Sequence, residues 1–127
     1  MADIAFRQAV EAHDLDALRR SLAPDVVFHT PIRFRPFTGR DEVAAILTIP
    51  AEVFAFGDAF RYTSVLGDDR ELALFFEGEL DGRSIQGVDH LRLNDEGLVT
   101  ELRVMIRPLA QLQRFADKAA ELLSRTT

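Results

Sequence analysis

The chain contains no cysteine, so disulfides, thiolate metal sites and cysteine nucleophiles are excluded. It has no strong basic cluster and its net charge is −6, which argues against nucleic-acid binding. No apolar run is long enough to span a bilayer, and the first residues have neither the basic flank nor the apolar stretch of a signal peptide. We therefore expect a cytoplasmic protein that binds neither nucleic acid nor membrane.

The chain does have enough apolar sequence for one core. It has 127 residues, the size of a single domain, and 47% of them are hydrophobic. We find no internal repeat or linker, so we expect one domain over residues 1–127. No cofactor fingerprint is present and no two histidines have the spacing of zinc ligands, so we expect no cofactor and no metal.

The first part of the chain is predicted to be helical. Asp3 and Asp14 are placed to cap two short helices. Leu22 belongs to the apolar stripe of the second helix, which Pro24 is expected to end. The next predicted elements are a strand over 26–30, a loop over 32–39 and a third helix over 38–47. Pro50 is expected to break or kink this helix, and residues 52–56 to continue it.

From Phe60 onward the apolar residues alternate with a period of two, which predicts four strands. Tight turns at 67–69, 81–82 and 94–97 join them, so neighbouring strands must be antiparallel. Pro108 suits the first turn of a final helix. Helices segregated from an antiparallel run predict an α+β domain with the helices on one face of the sheet.

Asp89 is a carboxylate on an otherwise apolar strand face. Alternation places it on the same face as Ile85, Gly87, Leu91 and Leu93. Burial of a carboxylate is costly and raises its pKa unless it is paired, so Asp89 is a candidate functional acid. The alternative is a structural acid that binds loop backbone or pairs with an arginine such as Arg33 or Arg107.

Several motifs resemble a known superfamily. The segment from Gly87 to Asn94, with the residues at 97–99 and 102–103, resembles the C-terminal hairpin of ketosteroid isomerases. The order of elements is similar to the nuclear transport factor 2-like superfamily across essentially the full chain. Its SnoaL-like branch is the most similar, through residues 37–43 and 107–109. The resemblance implies a cone, in which a strongly bent antiparallel sheet and the helices enclose a pocket.

The resemblance to ketosteroid isomerases does not extend to their whole catalytic set. Those enzymes combine a protonated carboxylic acid with a tyrosine and an aspartate base. Asp89 matches the acid, but the tyrosine position is Phe6. The base position is Thr30, which cannot act as a comparable base. We therefore do not expect ketosteroid isomerase activity.

Other relatives leave several activities open. SnoaL-like polyketide cyclases can work with one aspartate, which favours Asp89 as acid and base of an isomerase or cyclase. Similarity to limonene-epoxide hydrolases or scytalone dehydratases would add Arg33, Arg107 or His29 as partners, although His29 is expected to face away from the pocket. The alternatives are a non-catalytic small-molecule-binding domain and a dimerisation module.

The pocket implied by the resemblance is expected to bind a small apolar molecule. Gly87 either leaves room for that ligand or marks close packing. For most of the phenylalanines the alternative is plain core, and Tyr62 either reaches the pocket or lies at the edge of the core. The expected lining residues are Phe28, Thr30, Phe60, Tyr62, Phe76, Gly87 and Leu102.

The outer face of the sheet is predicted to be a dimer interface. Its apolar residues Val65, Phe75, Val88 and Met105 alternate with charges of both signs. A face this apolar is expected to be covered, and the resemblance points to the same sheet-to-sheet homodimer.

Overall fold

The computed structural model describes residues 4–126, so the predicted cap Asp3 lies outside the described residues. These residues form four α-helices, one π-helical turn and six strands, and no helix among them is long and apolar enough to cross a bilayer. In chain order they are α1 Ala5–Glu11, α2 Leu15–Arg20, β1 Leu22–His29, β2 Phe37–Thr38, α3 Arg40–Pro50, the π-helical turn Ala51–Ala55, β3 Arg61–Gly67, β4 Glu71–Leu80, β5 Arg83–Leu93, β6 Val99–Arg107 and α4 Leu109–Thr126.

The second helix begins as predicted but ends earlier than predicted. Asp14 caps α2, because its Oδ1 accepts a hydrogen bond from the Ala17 N–H at 3.0 Å. The prediction for Leu22 and Pro24 was wrong: α2 ends at Arg20, and both residues lie in β1. β1 tolerates the proline because its pairing with β6 is interrupted between Leu22 and Val27, where no ladder hydrogen bond is lost.

The third helix spans the predicted helical region, although it begins at Arg40 and not at 38. α3 continues through Pro50, where the helix widens into the π-helical turn. This turn brings the buried ring of Phe54 over the sheet, where it stacks on Phe76 of β4 with the ring centroids 5.7 Å apart. The predicted loop before α3 also contains the two-residue strand β2.

The six strands form one open, curved sheet in the order β2-β1-β6-β5-β4-β3. The meander from β3 to β6 is antiparallel, as predicted, and β1 joins its β6 edge in parallel. Register shifts interrupt the pairing of β1 with β6, of β3 with β4, and of β5 with β6. Such irregularities bend and twist strands, which gives the sheet a concave face for the helices to cover.

α4 is anchored at the turn of the β4–β5 hairpin by a buried amide. The Nε2 of Gln111 donates to the carbonyl oxygens of Leu80 and Arg83, at 2.9 and 3.0 Å. Phe115 and Ala119 follow on the buried face of the same helix. The helix therefore closes one side of the concave face.

Side chains of β5 alternate between the buried and the exposed face of the sheet, as its sequence predicts. Ile85, Asp89 and Leu91 are buried, while Arg92 on the opposite face is exposed. Leu102 is also buried, and the predicted neighbours Leu93 and Val104 are half-buried and packed against the core. The prediction that Asp89 lies on the concave side is therefore confirmed.

Gly87 marks close packing and not room for a ligand. A Cβ atom at this position would lie 2.2 Å from the backbone oxygen of Met105 and 2.5 Å from Cζ of Phe76. The expectation that Gly87 leaves space beside Asp89 was therefore wrong, because the Phe76 ring already fills that space.

We predict that Gly87→Ala destabilises the fold by about 2 kcal/mol or more, because the added methyl group overlaps backbone that cannot move freely. Gly78→Ala in β4 is the matched control, since the nearest atoms to its Cβ would be Cδ2 of Phe60 at 3.4 Å and Cγ2 of Ile85 at 3.6 Å, which are ordinary contacts. Urea unfolding of both variants measures the difference. Equal stability of the two variants would contradict this account of the packing at Gly87.

Candidate functional site

A cavity of about 180 Å³ lies between the concave face of the sheet and the helices. Its walls are apolar, with α1, α3, α4 and the π-helical turn all contributing side chains. In the described part of the chain, four polar side chains line it: those of Thr30, Arg33, Tyr62 and Asp89. Of the residues expected to line a pocket, Phe28, Thr30, Phe60, Tyr62, Phe76 and Leu102 do so, and Gly87 does not.

Asp89 lies at the floor of the cavity. Its strand position pairs with Leu74 of β4 on one side and with Val104 of β6 on the other, so its neighbours along the sheet are apolar. Only 8% of the residue is exposed. The carboxyl group is thus held by a central strand, with apolar residues beside it.

The side chain that binds Asp89 is Tyr62. Its phenol Oη donates a hydrogen bond to Oδ2 of Asp89 at 2.9 Å. Tyr62 belongs to β3 and Asp89 to β5, so the phenol reaches across β4, which separates the two strands. Sequence reasoning identified both residues but did not pair them. The available signal was that Tyr62 is the chain's one tyrosine and falls on an inward position of its strand.

The second carboxyl oxygen of Asp89 faces the cavity. Oδ1 has no hydrogen-bond partner among residues 4–124. Within that range, the bond from Tyr62 to Oδ2 is the one side-chain hydrogen bond of Asp89. Within the same residues, no fully buried side-chain oxygen lacks a partner. Because Asp89 also lines the cavity, Oδ1 must be open to it. One oxygen is therefore held by the protein and the other is available to a ligand.

Burial raises the pKa of Asp89 from 3.8 to about 7, and the Tyr62 hydrogen bond offsets part of that rise. The pKa of the Tyr62 phenol is also well above its usual value of 10.0, first because of burial and then because of the nearby Asp89 charge. Near neutral pH, Asp89 therefore exists in both its protonated and its ionised form.

Neither arginine considered as a partner reaches the Asp89 carboxyl. Arg33 donates from Nε to the carbonyl oxygen of Arg35 at 2.7 Å, and Arg107 donates to the Gln86 side chain. The ion pairs formed by residues 4–124 do not include Asp89. A structural ion pair is therefore not what holds the acid in place.

The other residues considered as catalytic candidates lie partly in the cavity and partly on the opposite face of the sheet. Phe6 and Thr30, which occupy the ketosteroid isomerase tyrosine and base positions, both line the cavity. His29 faces away from it, as expected, and its Nε2 lies 3.1 Å from Oε2 of Glu101. His90 likewise pairs with Glu71, at 2.6 Å.

We predict that the acid at position 89 makes folding stability depend on pH. An unfolded aspartate ionises near 3.8 but Asp89 near 7, so folding takes up a proton between these values. The contribution of Asp89 to the free energy of unfolding is fully present below about pH 4 and is lost as pH rises through 7. Asp89→Asn, which is neutral throughout, should match the wild type at pH 4 and exceed its free energy of unfolding at pH 8, by up to about 4 kcal/mol.

Urea unfolding at pH 4 and pH 8 measures this difference. A constant gap between the two proteins at both pH values would contradict the raised pKa, because it would show that Asp89 has the same pKa in the folded and unfolded chains.

Comparison with known proteins identifies the family. The SnoaL-like domain description matches residues 4–102. A steroid delta-isomerase from Pseudomonas aeruginosa is 30% identical with a TM-score of 0.86, over 95% of this chain and 88% of that one. A protein with a cystatin-like fold from Silicibacter pomeroyi DSS-3 is also 30% identical with a TM-score of 0.86, over 94% and 83% of the two chains.

A third structure supports the fold alone. It is an NTF-2 like protein of unknown function from Burkholderia xenovorans LB400, 19% identical with a TM-score of 0.67 over 86% of each chain. No curated protein sequence matches the chain. The family match spans most of the chain, and the structural matches have the same curved sheet with its helices. The chain therefore belongs to the SnoaL-like domain family, and its fold is that of the nuclear transport factor 2-like proteins.

Proposed function

We propose that this protein binds a small apolar molecule in its cavity and that Asp89 exchanges a proton with it, as in a cofactor-independent isomerase or cyclase. The observation that supports this proposal is the pairing of Asp89 with Tyr62 at the floor of an apolar cavity. A carboxyl group with a pKa of about 7 is suited to general acid–base work at neutral pH, because both protonation states are populated.

The chemistry follows from the two oxygens of Asp89. Ionised Asp89 accepts a proton at Oδ1 from a carbon next to a ligand carbonyl, and the electron pair of that C–H bond moves into an enolate. The neutral acid then returns the proton to another atom of the same ligand, so an isomerisation gains and loses no atoms. Tyr62 stays bound to Oδ2, where its hydrogen bond favours the ionised form.

The cavity volume favours a ligand with one or two small rings. An apolar cavity of roughly 150 Å³ is enough to bind benzene, and this one measures about 180 Å³. One relative is a steroid delta-isomerase by name, which supports isomerase-type chemistry on this fold. A four-ring steroid would have to project through the mouth, and Phe6 and Thr30 replace the tyrosine and base. We therefore propose a substrate smaller than a steroid.

The second candidate function is ligand binding without turnover. The same apolar walls would serve a binding or carrier domain, and Asp89 would then only hydrogen-bond a ligand. What favours an enzyme is the open Oδ1, because an acid that only held the fold would gain from having both oxygens bound.

We predict that the protein accelerates exchange of the CH₂ protons of 2-indanone for solvent deuterium, and that Asp89→Asn abolishes most of that acceleration. A general base contributes about 100-fold or more to such a step, and asparagine cannot accept the proton. Proton NMR in D₂O measures the exchange. Binding of indane, which has the same rings and no carbonyl, should be unchanged in the variant and serves as its folding control.

Tyr62→Phe separates the role of the phenol from that of the acid. Because its hydrogen bond lowers the pKa of Asp89, its loss should move the rise of the pH–rate profile to higher pH without abolishing exchange. Catalysed exchange that persists in Asp89→Asn would show that Asp89 is not the base. Indane binding without catalysed exchange in the wild type would favour the binding domain.

We also propose that the convex sheet face forms a homodimer. Phe75, Val88 and Met105 pair in register across β4, β5 and β6, which makes an apolar row on that face. The expectation that Val65 joins this row was wrong: the register shift in β3 pairs Val65 with the buried Leu74, and Val65 packs against the core. Phe75 is 38% and Met105 46% exposed. The charges around the row pair within the chain, as Arg92 does with Glu71 and Glu101, so the apolar row is the part left to be covered.

We predict that Phe75→Asp combined with Val88→Asp gives folded monomer from a dimeric wild type. A buried unpaired carboxylate in the interface opposes association, and both positions face away from the cavity. Leu15→Asp is the control, because Leu15 is 44% exposed on α2, away from the sheet. Sedimentation velocity gives the masses, and a monomeric wild type at high micromolar concentration would refute the interface.

A further inference from the structure

Arg33 is the one cation that lines the cavity in the part of the chain described. It lies in the loop between β1 and β2 and is exposed to solvent, whereas Asp89 is buried at the floor. The apolar cavity is thus lined by a buried carboxylic acid and, at its mouth where it meets solvent, by a guanidinium group.

The guanidinium of Arg33 is held in a defined position. Its Cζ lies 3.6 Å from the centroid of the Phe37 ring, so the planar group rests on an aromatic surface. Phe37 in turn stacks on Phe28, which is part of the cavity wall, with the ring centroids 6.1 Å apart. On the other side, Nε donates to the Arg35 carbonyl oxygen at 2.7 Å. Both contacts orient the group and leave its two Nη nitrogens unused.

Arg33 has no carboxylate partner among residues 4–124. The other arginines that form ion pairs in this range do so with Asp or Glu side chains, and Arg33 forms none of those pairs. Two parallel Nη donors match the geometry of a carboxylate or phosphate, which binds an arginine in a bidentate manner. A free, oriented pair of donors at the mouth of an apolar cavity is therefore suited to an anion.

The overall charge does not explain such a site. The chain carries a net charge of −6, which repels anions at long range. Selection of an anion must then come from a local contact, and Arg33 supplies one where a ligand enters.

We propose that the natural ligand is amphipathic, with an apolar body in the cavity and a carboxylate or phosphate group bound by Arg33 at the mouth. This inference rests on the proposed small-molecule site and specifies its substrate class. Arg33 orients the ligand by its anionic end, so that the opposite end is presented to Asp89.

Isothermal titration with 4-phenylbutyrate and its neutral analogue 4-phenylbutanamide tests the inference. The carboxylate should bind the wild type about fivefold more tightly than the amide. Arg33→Gln should remove that preference by weakening carboxylate binding alone, and Arg33→Lys should keep part of it. A third probe, 3-phenylpropyl phosphate, distinguishes the two anions, because the tighter-binding one identifies the group that the site prefers.

Arg35→Gln is the matched control, since Arg35 is in the same loop, carries the same charge and does not line the cavity. It should leave the carboxylate preference unchanged. Equal binding of acid and amide, or equal losses in Arg33→Gln and Arg35→Gln, would overturn the anionic contact and leave the apolar site standing. Failure of all three probes to bind would overturn the small-molecule site itself.

Discussion

The hydrogen bond from Tyr62 to Asp89 is the interaction on which the candidate site depends. A carboxyl group on the inner face of a sheet loses its hydration, and such burial is tolerated only when the group is bonded or protonated. Here one donor satisfies one oxygen, and burial keeps the pKa of the acid near neutrality. A second donor would have stabilised the carboxylate further and lowered that pKa. The single bond leaves an acid that can change its protonation state.

The curvature of the sheet makes that bond possible. β3 and β5 are separated by β4, and in a flat sheet their side chains would stand apart. The register shift between Tyr62 and Ser64 bends β3 where the tyrosine lies. The absence of a side chain at Gly87 lets Phe76 pack against the next strands without a clash. The same curvature creates the cavity, so the acid and the space for its ligand have one structural cause.

The two faces of the sheet carry different kinds of side chain. The concave face buries apolar side chains under the helices and keeps a few polar groups around a cavity. The convex face neutralises its charges with ion pairs between neighbouring strands, such as Arg61 with Glu77 and Arg92 with Glu101. Exposed ion pairs of this kind add little stability. Because the charges are paired, the apolar row is the feature that distinguishes the convex face from ordinary protein surface.

Local pattern determined much of the fold. The period-two alternation is a direct consequence of strand geometry, so the sequence alone placed Asp89 inward and His90 outward. The cap at Asp14 was also predictable, because a cap is a contact between residues three positions apart. Similarity of motifs to SnoaL-like proteins predicted the cone, which the curved open sheet and the structural match to the steroid delta-isomerase confirm.

Contacts between distant parts of the chain were decided only by the tertiary structure. The start of β1 was missed because the pairing of Leu22 with β6 depends on a strand about 77 residues away, whose influence no local pattern records. The role of Gly87 was open for the same reason, since a missing side chain leaves room that either a ligand or a neighbouring ring can fill. The Tyr62 bond and the position of Arg33 over Phe37 depend on how far the sheet bends and where a loop lies. Periodicity fixes which face a side chain takes, but only the assembled sheet fixes which side chains meet there.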